Sequence, residues 1–438
     1  MTDTIFALAT GRGAAGLAVI RVSGPKAFFI LQSLAGDGVD ARRATLRLLR
    51  SQGTVIDEAV CLWFPGPASF TGEDCVEFQC HGAQSVLALM LKTLAGFDGC
   101  RLAEPGEFSR RAFENGRMDL AAIEGLGDLI DSETEYQRQQ AVRQMMGGLS
   151  REIDQWRSDL IAVLALFEAD LDFSDEGDID GRVLDLAEAR LKAVRDRMVV
   201  ALASSGRGER LREGLTVVLA GPPNSGKSTL LNALARRDVA IVSYIAGTTR
   251  DIVEARLDLS GYPVTILDTA GMRETLDPIE NEGIRRMLAR AEAADLVLWL
   301  SSALEVETPP PVSIRQLGDR VVTVLTHRDQ ADVSQKGLAI SAISGIGMDD
   351  LIRFLTDRAA HTLATGEEGV VLTRARHQDA VVEAEAAINR ALVLLHSTGT
   401  ELVVEEVRLA MRAIGRITGH VGVEDVLDQL FSHFCIGK

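Results

Sequence analysis

The sequence has few cysteines, no long apolar run and fewer basic than acidic residues. Five cysteines in a chain of 438 residues do not indicate a disulfide framework. No stretch of about 18 or more apolar residues occurs, so we expect no membrane span. The first residues lack the basic segment and apolar run of a signal peptide, so we expect a cytoplasmic protein.

Acidic side chains outnumber basic ones, with 63 Asp and Glu against 46 Lys and Arg and a net charge of −17. This balance argues against broad, non-specific binding to nucleic acid. Residues 1–118 carry equal numbers of both signs, so the acidic excess lies in residues 119–438. A nucleic-acid contact would need a local basic patch, although solvated charge is the commoner reason for such a cluster. The candidate patches are Arg42, Arg43, Arg47 and Arg50, and Arg110 with Arg111.

Changes of pattern along the chain predict several domains, because 438 residues exceed what one core usually holds. Residues 1–118 read as mixed α/β, 119–212 as helical, 213–365 as alternating strand and helix, and 366–438 as helical. Each helical stretch has an apolar stripe that needs a partner, so the simplest arrangement packs the two together and inserts the α/β unit between them. Two independent helical domains are the alternative. The predicted fold class is multidomain, α/β plus all-α.

Apolar runs and their spacing predict the individual elements. A C-terminal helix should bury the stripe of Leu402, Val407, Leu409 and Ile414. The acidic run 168–180 lacks the spacing of a calcium-binding loop and is predicted to be a solvated loop. The last four predicted strands are apolar on both faces, as a parallel sheet covered by helices requires. Strands are predicted at 16–22, 60–64, 75–80, 215–220, 264–267, 296–300 and 321–326, and helices at 85–94 and 229–235.

The strongest motif is G-x-x-x-x-G-K-S at residues 221–228, a phosphate-binding loop. A predicted strand precedes it and a predicted helix follows it, which is the context in which this motif works. Its glycines let backbone N–H groups turn toward a polyphosphate, and the helix terminus adds positive potential. Lys227 should reach the β- and γ-phosphates, and the Ser228 hydroxyl should bind Mg²⁺.

Two further loops follow in the order expected of a nucleotide switch. The polar loop 247–251 offers a threonine hydroxyl that can complete the Mg²⁺ shell only while a γ-phosphate is present. Asp268, at the start of Asp-Thr-Ala-Gly, can hold the magnesium shell, and the Gly271 N–H can sense the γ-phosphate. Met272 stands where Ras-like enzymes place a water-orienting glutamine, and its thioether cannot orient water. The residues alone leave Glu274, Glu280 and Glu282 open for that role.

The base-reading loop is Thr326-His327-Arg328-Asp329, where GTPases usually have Asn-Lys-x-Asp. Asp329 can still accept hydrogen bonds from the N1 and N2 groups of guanine. Thr326 cannot replace the amide fully, and His327 replaces the lysine stem that covers the base. Ser341 and Ala342 match the last guanine-contacting loop. We therefore predict guanine specificity with reduced affinity, with relaxed use of ATP as an alternative.

Five stretches of the chain resemble the tRNA-modification GTPase MnmE (TrmE) family, and the likeness runs nearly end to end. They are GLAVIRVSG at 16–24, SFTGED at 69–74, EPGEF at 104–108, IAGTTRD at 245–251 and FCIGK at 434–438. The resemblance implies an N-terminal folate-binding α/β domain that dimerises (1–118). It further implies a discontinuous helical domain (119–212 and 366–438) and an inserted Ras-like P-loop GTPase domain (213–365).

For the nucleotide domain, the resemblance implies GTP hydrolysis promoted by potassium when two such domains meet. Asn224, Ser243, Ile245 and Thr248 match the potassium ligands, and Ser228 and Thr249 the magnesium ligands. Glu280 matches the glutamate that positions water, and Lys227 is the second catalytic candidate of this domain. The candidate nucleotide-binding residues are Asn224, Ser225, Gly226, Lys227, Ser228, Thr229, Ser243, Tyr244, Ile245, Ala246, Gly247, Thr248, Thr249, Asp268, Thr269, Ala270, Gly271, Thr326, Asp329, Ser341 and Ala342.

For the N-terminal domain, the resemblance implies a site for 5,10-methylene- or 5-formyltetrahydrofolate. Arg21, Glu77, Arg117 and Lys438 match its contact positions, and Arg117 stands where lysine is usual. Cys435 matches the family's terminal cysteine, a candidate for a role in the chemistry.

The implied activity is modification of tRNA at C5 of the wobble uridine U34. A flavoprotein partner of the MnmG (GidA) type, in a heterotetramer with a homodimer of this chain, would help to install an aminomethyl or carboxymethylaminomethyl group. A ribosome-assembly GTPase and a nucleotide-binding scaffold without efficient turnover are the alternatives. The first would need a basic RNA-binding module, and the second is disfavoured by Lys227, Ser228, Thr249, Asp268 and Glu280.

Overall fold

The computed structural model describes residues 3–11, 13–172, 181–241, 254–268, 288–304, 308–331, 337–364, 371–395 and 400–421, with residues 427, 430, 431, 434 and 437. By internal contacts the chain forms two compact units. The first comprises Met1–Gly127, Gln144–Arg157 and Met411–Lys438, and the second Asp128–Arg143 and Ser158–Ala410. No helix within the described residues is long and apolar enough to cross a membrane. The predicted boundaries after residues 118, 212 and 365 stay predictions.

Twelve labelled helices and twelve strands organise the described chain. The helices are α1 (Ala27–Ala35), α2 (Gln84–Ala95), α3 (Glu107–Glu114), α4 (Leu120–Asp131), α5 (Glu135–Met145), α6 (Gly148–Asp172), α7 (Gly181–Glu213), α8 (Lys227–Ala235), α9 (Val312–Arg315), α10 (Met348–Leu363), α11 (Ala375–Leu394) and α12 (Thr400–Thr418). The strands are β1 (Thr4–Leu8), β2 (Ala15–Ser23), β3 (Thr45–Ser51), β4 (Thr54–Phe64), β5 (Cys75–Gly82), β6 (Cys100–Leu102), β7 (Leu215–Ala220), β8 (Glu254–Leu259), β9 (Tyr262–Asp268), β10 (Leu296–Ser302), β11 (Val321–Thr326) and β12 (Leu338–Ala339). A further helical stretch covers residues 288–293.

The first sheet has the order β3-β4-β5-β2-β1-β6. All its neighbours are antiparallel except β1 and β6. Alternation along β2 and β5 sends Ile20, Val22, Val76 and Phe78 to the face covered by α1 and α2, where they form the core. The opposite face carries the intervening side chains, among them the Arg21 and Glu77 pair in direct register.

The second sheet has the order β12-β11-β10-β7-β9-β8, and only the β8–β9 pair is antiparallel. Helices α8 and α10 pack on one face, while the stretch 288–293 and α9 pack on the other. After β7 the chain forms β8 and β9 on one side of β7 and then crosses to form β10 on the other side. The direction in which strands are added therefore reverses at β7. In open α/β sheets, ligands bind beyond the carboxyl ends of the strands at such a reversal.

Helix α7, which precedes this sheet in the sequence, packs with α11, which follows it, as predicted for these parts of the two helical stretches. Arg212, in α7, donates from Nε to the Thr373 carbonyl at 3.2 Å, and Gln378, in α11, donates from Nε2 to Glu209 Oε2 at 3.2 Å. A Cβ added at Gly208 would lie 2.2 Å from Val371 Cγ1, so the close approach of these segments requires glycine there.

Two predictions about helical segments were wrong in part. Helix α6 continues to Asp172, so residues 168–172 of the acidic run are helical and not loop, because glutamate, alanine and leucine extend the preceding helix readily; residues 173–180 lie outside the described chain. Along α12, Leu402 and Leu409 are 54% and 36% exposed. The buried stripe keeps regular steps of three and four, whereas the predicted one mixed steps of five and two. Its members are Val403, Val407, Ala410, Ile414 and Ile417.

Candidate functional site

The phosphate-binding loop joins β7 to α8 and is shaped by three residues with positive φ. They are Gly221 at 148°, Asn224 at 61° and Gly226 at 88°. A Cβ at Gly221 would lie 2.4 Å from the Leu300 carbonyl oxygen, so this position accepts only glycine. Asn224 is exposed on the loop, in the left-handed conformation that asparagine tolerates better than most residues.

Lys227 begins α8 and folds back over this loop. Its Nζ donates to the carbonyls of Gly221, at 3.0 Å, and Pro222, at 2.8 Å, and lies 3.5 Å from Ser225 Oγ. The side chain is therefore held at the loop that would cradle the phosphates. Thr229 follows in the first turn of the same helix.

Ser228 and Asp268 form the second part of the site. The Ser228 hydroxyl donates to Asp268 Oδ2 at 2.6 Å. Asp268 is the last residue of β9 and is 1% exposed. These are the hydroxyl and carboxylate predicted for a magnesium shell. Oxygen donors of this kind suit Mg²⁺, which proteins usually bind through one or two side chains together with phosphate oxygens.

The base-reading loop lies at the same sheet edge, at the ends of β11 and β12. Thr326 closes β11, and its Oγ1 donates to the Ser225 carbonyl of the phosphate loop at 2.9 Å. The Arg328 N–H donates to the Ile340 carbonyl at 3.1 Å, which ties this loop to the Ser341 loop. Ser341 shapes that second loop by accepting at Oγ from the Ser344 N–H at 3.1 Å, and Ala342 follows it. Asp329 is exposed.

Thirteen predicted site residues lie outside the described chain. They are Ser243, Tyr244, Ile245, Ala246, Gly247, Thr248, Thr249, Thr269, Ala270, Gly271, Glu280, Cys435 and Lys438. Their roles stay predictions.

A second candidate site lies on the open face of the first sheet. Arg21 donates to Glu77 Oε1 from Nε at 3.0 Å and from Nη2 at 2.8 Å, and both side chains are about one-fifth exposed. The Arg21 guanidinium stacks 4.9 Å from the ring centre of Phe70 and 5.7 Å from that of Phe108. Arg117 donates from Nε to the Ser69 carbonyl at 3.1 Å, next to Phe70 in the chain. The segment 69–70 thus connects the three predicted residues, and its Phe70 is a site candidate that motif reasoning missed.

Near this site Gly437 approaches the backbone of β1. A Cβ added at Gly437, with φ of 104°, would lie 2.1 Å from the Leu8 carbonyl oxygen. Only glycine fits so close to that backbone. The glycine of the terminal Cys-Ile-Gly-Lys sequence therefore has a packing role beside the first sheet.

Five of the six arginines in the two predicted basic patches make contacts within the protein. Arg111 is fully buried, and its guanidinium contacts Asp3, Glu73 and Glu107, so a nucleic-acid contact through Arg111 is ruled out. Arg110 lies 5.4 Å over the ring of Phe431. In the other patch, Arg42 donates to the Ala68 carbonyl, Arg47 donates to the Gly38 carbonyl at 2.8 Å, and Arg43 lies 3.6 Å from Asp40. Arg42 and Arg47 thus contact loops of their own domain, and a nucleic-acid contact through the exposed arginines of this patch stays a prediction.

Family models match almost the whole chain. That of the MnmE helical domain matches residues 120–435, and that of the GTP-binding protein TrmE N-terminus matches residues 4–117. The chain belongs to the MnmE (TrmE) family. Similar curated relatives, each a tRNA modification GTPase MnmE, come from Beijerinckia indica subsp. indica (49% identity over 100% of this chain and 96% of the relative), Rhodopseudomonas palustris (48%, 100% and 99%) and a Methylobacterium species (52%, 100% and 100%). The MnmE resemblance and the predicted fold class are confirmed.

Proposed function

We propose that this chain is a GTP hydrolase that acts in tRNA modification and installs, with a flavoprotein partner, the (carboxymethyl)aminomethyl group at C5 of U34. The observation that carries the proposal is the convergence of the Lys227 loop, the Ser228–Asp268 pair and the base loop at one sheet edge, in a chain 49% identical over its full length to a tRNA modification GTPase. Family membership favours this function over ribosome assembly.

In the nucleotide domain, Lys227 binds the β- and γ-phosphates, exchanging its loop carbonyls for phosphate oxygens. Ser228 and Thr249 would hold Mg²⁺, which would neutralise phosphate charge. Asp268 orients the Ser228 hydroxyl, from which it accepts a hydrogen bond. Asn224, Ser243, Ile245 and Thr248 would hold K⁺, which would supply positive charge to offset the negative charge that develops on the phosphate oxygens in the transition state. Glu280 positions the attacking water. The paired G domains of a homodimer complete this site.

The Arg21–Glu77 pair is the centre of the proposed folate site. Its two groups offer an anion and a cation side by side, and Phe70 supplies an apolar surface against which a flat ring can stack. Arg117 and Lys438 add positive charge for the carboxylates of a folate tail. A 5,10-methylene- or 5-formyltetrahydrofolate held there would supply the one-carbon unit, and the FAD and NADH of an MnmG-like partner in a heterotetramer would supply the redox chemistry. The complex acts in the cytoplasm.

Reconstitution tests this function. The full chain, an MnmG-like flavoprotein, a tetrahydrofolate donor, FAD, NADH, GTP, K⁺ and unmodified tRNA should yield the modified U34 nucleoside by mass spectrometry, with either ammonium or glycine as nitrogen source. Omission of GTP is the control and should suppress the product. Binding to ribosomal subunits with no U34 product would overturn the proposal.

In the same assay, a Cys435→Ser variant with full product would exclude a chemical role for that thiol.

Removing the Arg21 guanidinium should weaken folate binding. We expect Arg21→Ala to raise the Kd for 5-formyltetrahydrofolate by about 10- to 100-fold, because a hydrogen bond to a charged group contributes roughly 1.5–3 kcal/mol. Calorimetric titration of the full chain measures this. Arg43→Ala is the matched control, since its side chain is 77% exposed and pairs with Asp40, outside the proposed folate site. An unchanged Kd in Arg21→Ala would contradict the proposed folate site.

A further inference from the structure

Thr326 has one hydroxyl proton and more than one internal acceptor for it. Its Oγ1 lies 2.9 Å from the Ser225 carbonyl oxygen, 3.3 Å from that of Ser301 and 3.1 Å from His327 Nδ1. Thr326 is 6% exposed, and Ser225 is 1% exposed. A threonine hydroxyl donates once, and a carbonyl oxygen can only accept. The proton is therefore committed inside the protein, and its nearest acceptor is the Ser225 carbonyl oxygen, which ties the base loop to the phosphate loop.

Guanine presents N7 as a hydrogen-bond acceptor, so a side chain that reads N7 must donate to it. An asparagine amide has two N–H donors and can serve the phosphate loop and N7 together, whereas Thr326 has one. Redirecting that proton to N7 would leave a buried carbonyl unsatisfied. Such a loss costs about 5- to 150-fold in an equilibrium constant, while a typical neutral hydrogen bond returns about 2- to 12-fold.

His327 reinforces this arrangement. The residue has a φ of 61°, in the left-handed region, and its Nδ1 lies 3.1 Å from both Thr326 Oγ1 and Ser302 Oγ. If Nδ1 carries a proton, it donates to one of these hydroxyls; if it does not, it accepts from one. In both cases the Thr326 hydroxyl stays inside a closed network that also includes Ser302.

We propose that this chain selects guanine without reading N7, and that Thr326 is a positioning residue that joins the base loop to the phosphate loop. The chain then discriminates against adenine through Asp329, which accepts from the N1 and N2 groups of guanine, and through the Ser341 loop. The inference rests on the proposed guanine site, and it distinguishes this chain from GTPases that have asparagine at the position of Thr326.

Binding of 7-deaza-GTP, which has C–H in place of N7, tests the proposal directly. GTP and 7-deaza-GTP are each titrated against a fluorescent GDP bound to the full-length protein. The two Kd values should agree within about 2-fold, because no donor is lost when N7 is removed. GTP binding more than about 2-fold tighter than 7-deaza-GTP would overturn the proposal.

Two substitutions sharpen the test. Thr326→Asn supplies a second donor, so GTP should become preferred over 7-deaza-GTP by about 3- to 10-fold. Thr326→Val removes the hydroxyl at nearly constant volume, so both nucleotides should weaken by the same factor. A preference for GTP in the unsubstituted chain that disappears in Thr326→Val would show that the hydroxyl reaches N7. A Thr326→Asn variant that binds both nucleotides equally would contradict the argument that a second donor is needed to read N7.

Asp329→Asn separates this inference from the proposed guanine site. That substitution should weaken GTP and 7-deaza-GTP equally, since both keep N1 and N2. GTP affinity unchanged by Asp329→Asn would contradict the guanine site itself, whereas unequal affinities in the unsubstituted chain would contradict only the inference about N7.

Discussion

GTP hydrolysis in potassium buffer should exceed that in sodium buffer by about 10²-fold or more, and ATP should be a poor substrate in both. The expected size follows from the loss of rate when one preorganised group that stabilises the charge of the transition state is removed. That loss is about 10²- to 10³-fold. Asn224 is exposed on the phosphate loop, so its side-chain oxygen is accessible to a cation beside the phosphates. Phosphate release from GTP and from ATP, each in the two buffers, measures the effect.

Asn224 allows an unusually clean pair of variants because its φ is 61°. Asn224→Gly removes the oxygen ligand without backbone strain, since glycine adopts positive φ freely. Asn224→Asp keeps an oxygen ligand and tolerates the same conformation. We expect the glycine variant to hydrolyse GTP in potassium no faster than in sodium, and the aspartate variant to keep a potassium dependence. Turnover indifferent to the cation in the unsubstituted chain, or equal turnover of ATP, would contradict the proposed potassium site.

The parts of the fold that sequence predicts best are those where one local signal suffices. Strands β7 and β11 occupy the predicted residues, 215–220 and 321–326, because each is a short apolar run bounded by glycine or polar residues. The phosphate loop is equally local, since its glycines, lysine and serine are consecutive. The proximity of Ser228 and Asp268 follows from one additional step, the parallel pairing of β7 with β9.

Other features depend on partners that are distant in the chain. The commitment of the Thr326 hydroxyl depends on a carbonyl 101 residues away, so the sequence showed a departure from the usual motif but not its consequence. Arg111 looked like a solvated basic residue because two of its carboxylates, on Asp3 and Glu73, lie 108 and 38 residues away. Burial reverses the expected role of such a residue, since a buried charge must be paired.

The buried cluster around Arg111 should contribute strongly to the stability of the first unit. Arg111 Nη2 lies 3.0 Å from Asp3 Oδ1 and 3.0 Å from Glu107 Oε1, and Nη1 lies 3.0 Å from Glu73 Oε2. Arg101 donates to Glu107 as well. We expect Arg111→Met to lower the free energy of unfolding of this unit by about 3–5 kcal/mol, because its removal leaves Glu73 without its cation and leaves the buried Glu107 with Arg101 alone.

Acid should weaken the same cluster. Burial alone would raise the pKa of Glu107, but hydrogen bonds from Arg101, from the Glu104 N–H and from Arg111 outweigh it and hold the pKa below its ordinary value of 4.5. The pKa of Asp3 is likewise lowered from 3.8, where burial is outweighed by bonds from Arg101 and Arg111. A carboxyl whose pKa is lower in the folded chain stabilises it above the unfolded pKa. This contribution is therefore complete above about pH 4.5 and is lost as the pH falls through the folded values.

Urea unfolding of the full chain at several pH values measures both effects, and hydrogen exchange in β1 and α3 assigns the loss to this unit. Arg43→Met is the matched control: its side chain is 77% exposed, so its ion pair with Asp40 should contribute roughly 0–1 kcal/mol. Adding Glu107→Gln to Arg111→Met should recover part of the stability, since one unpaired charge is removed. If Arg111→Met costs no more than Arg43→Met, the buried cluster does not stabilise the domain.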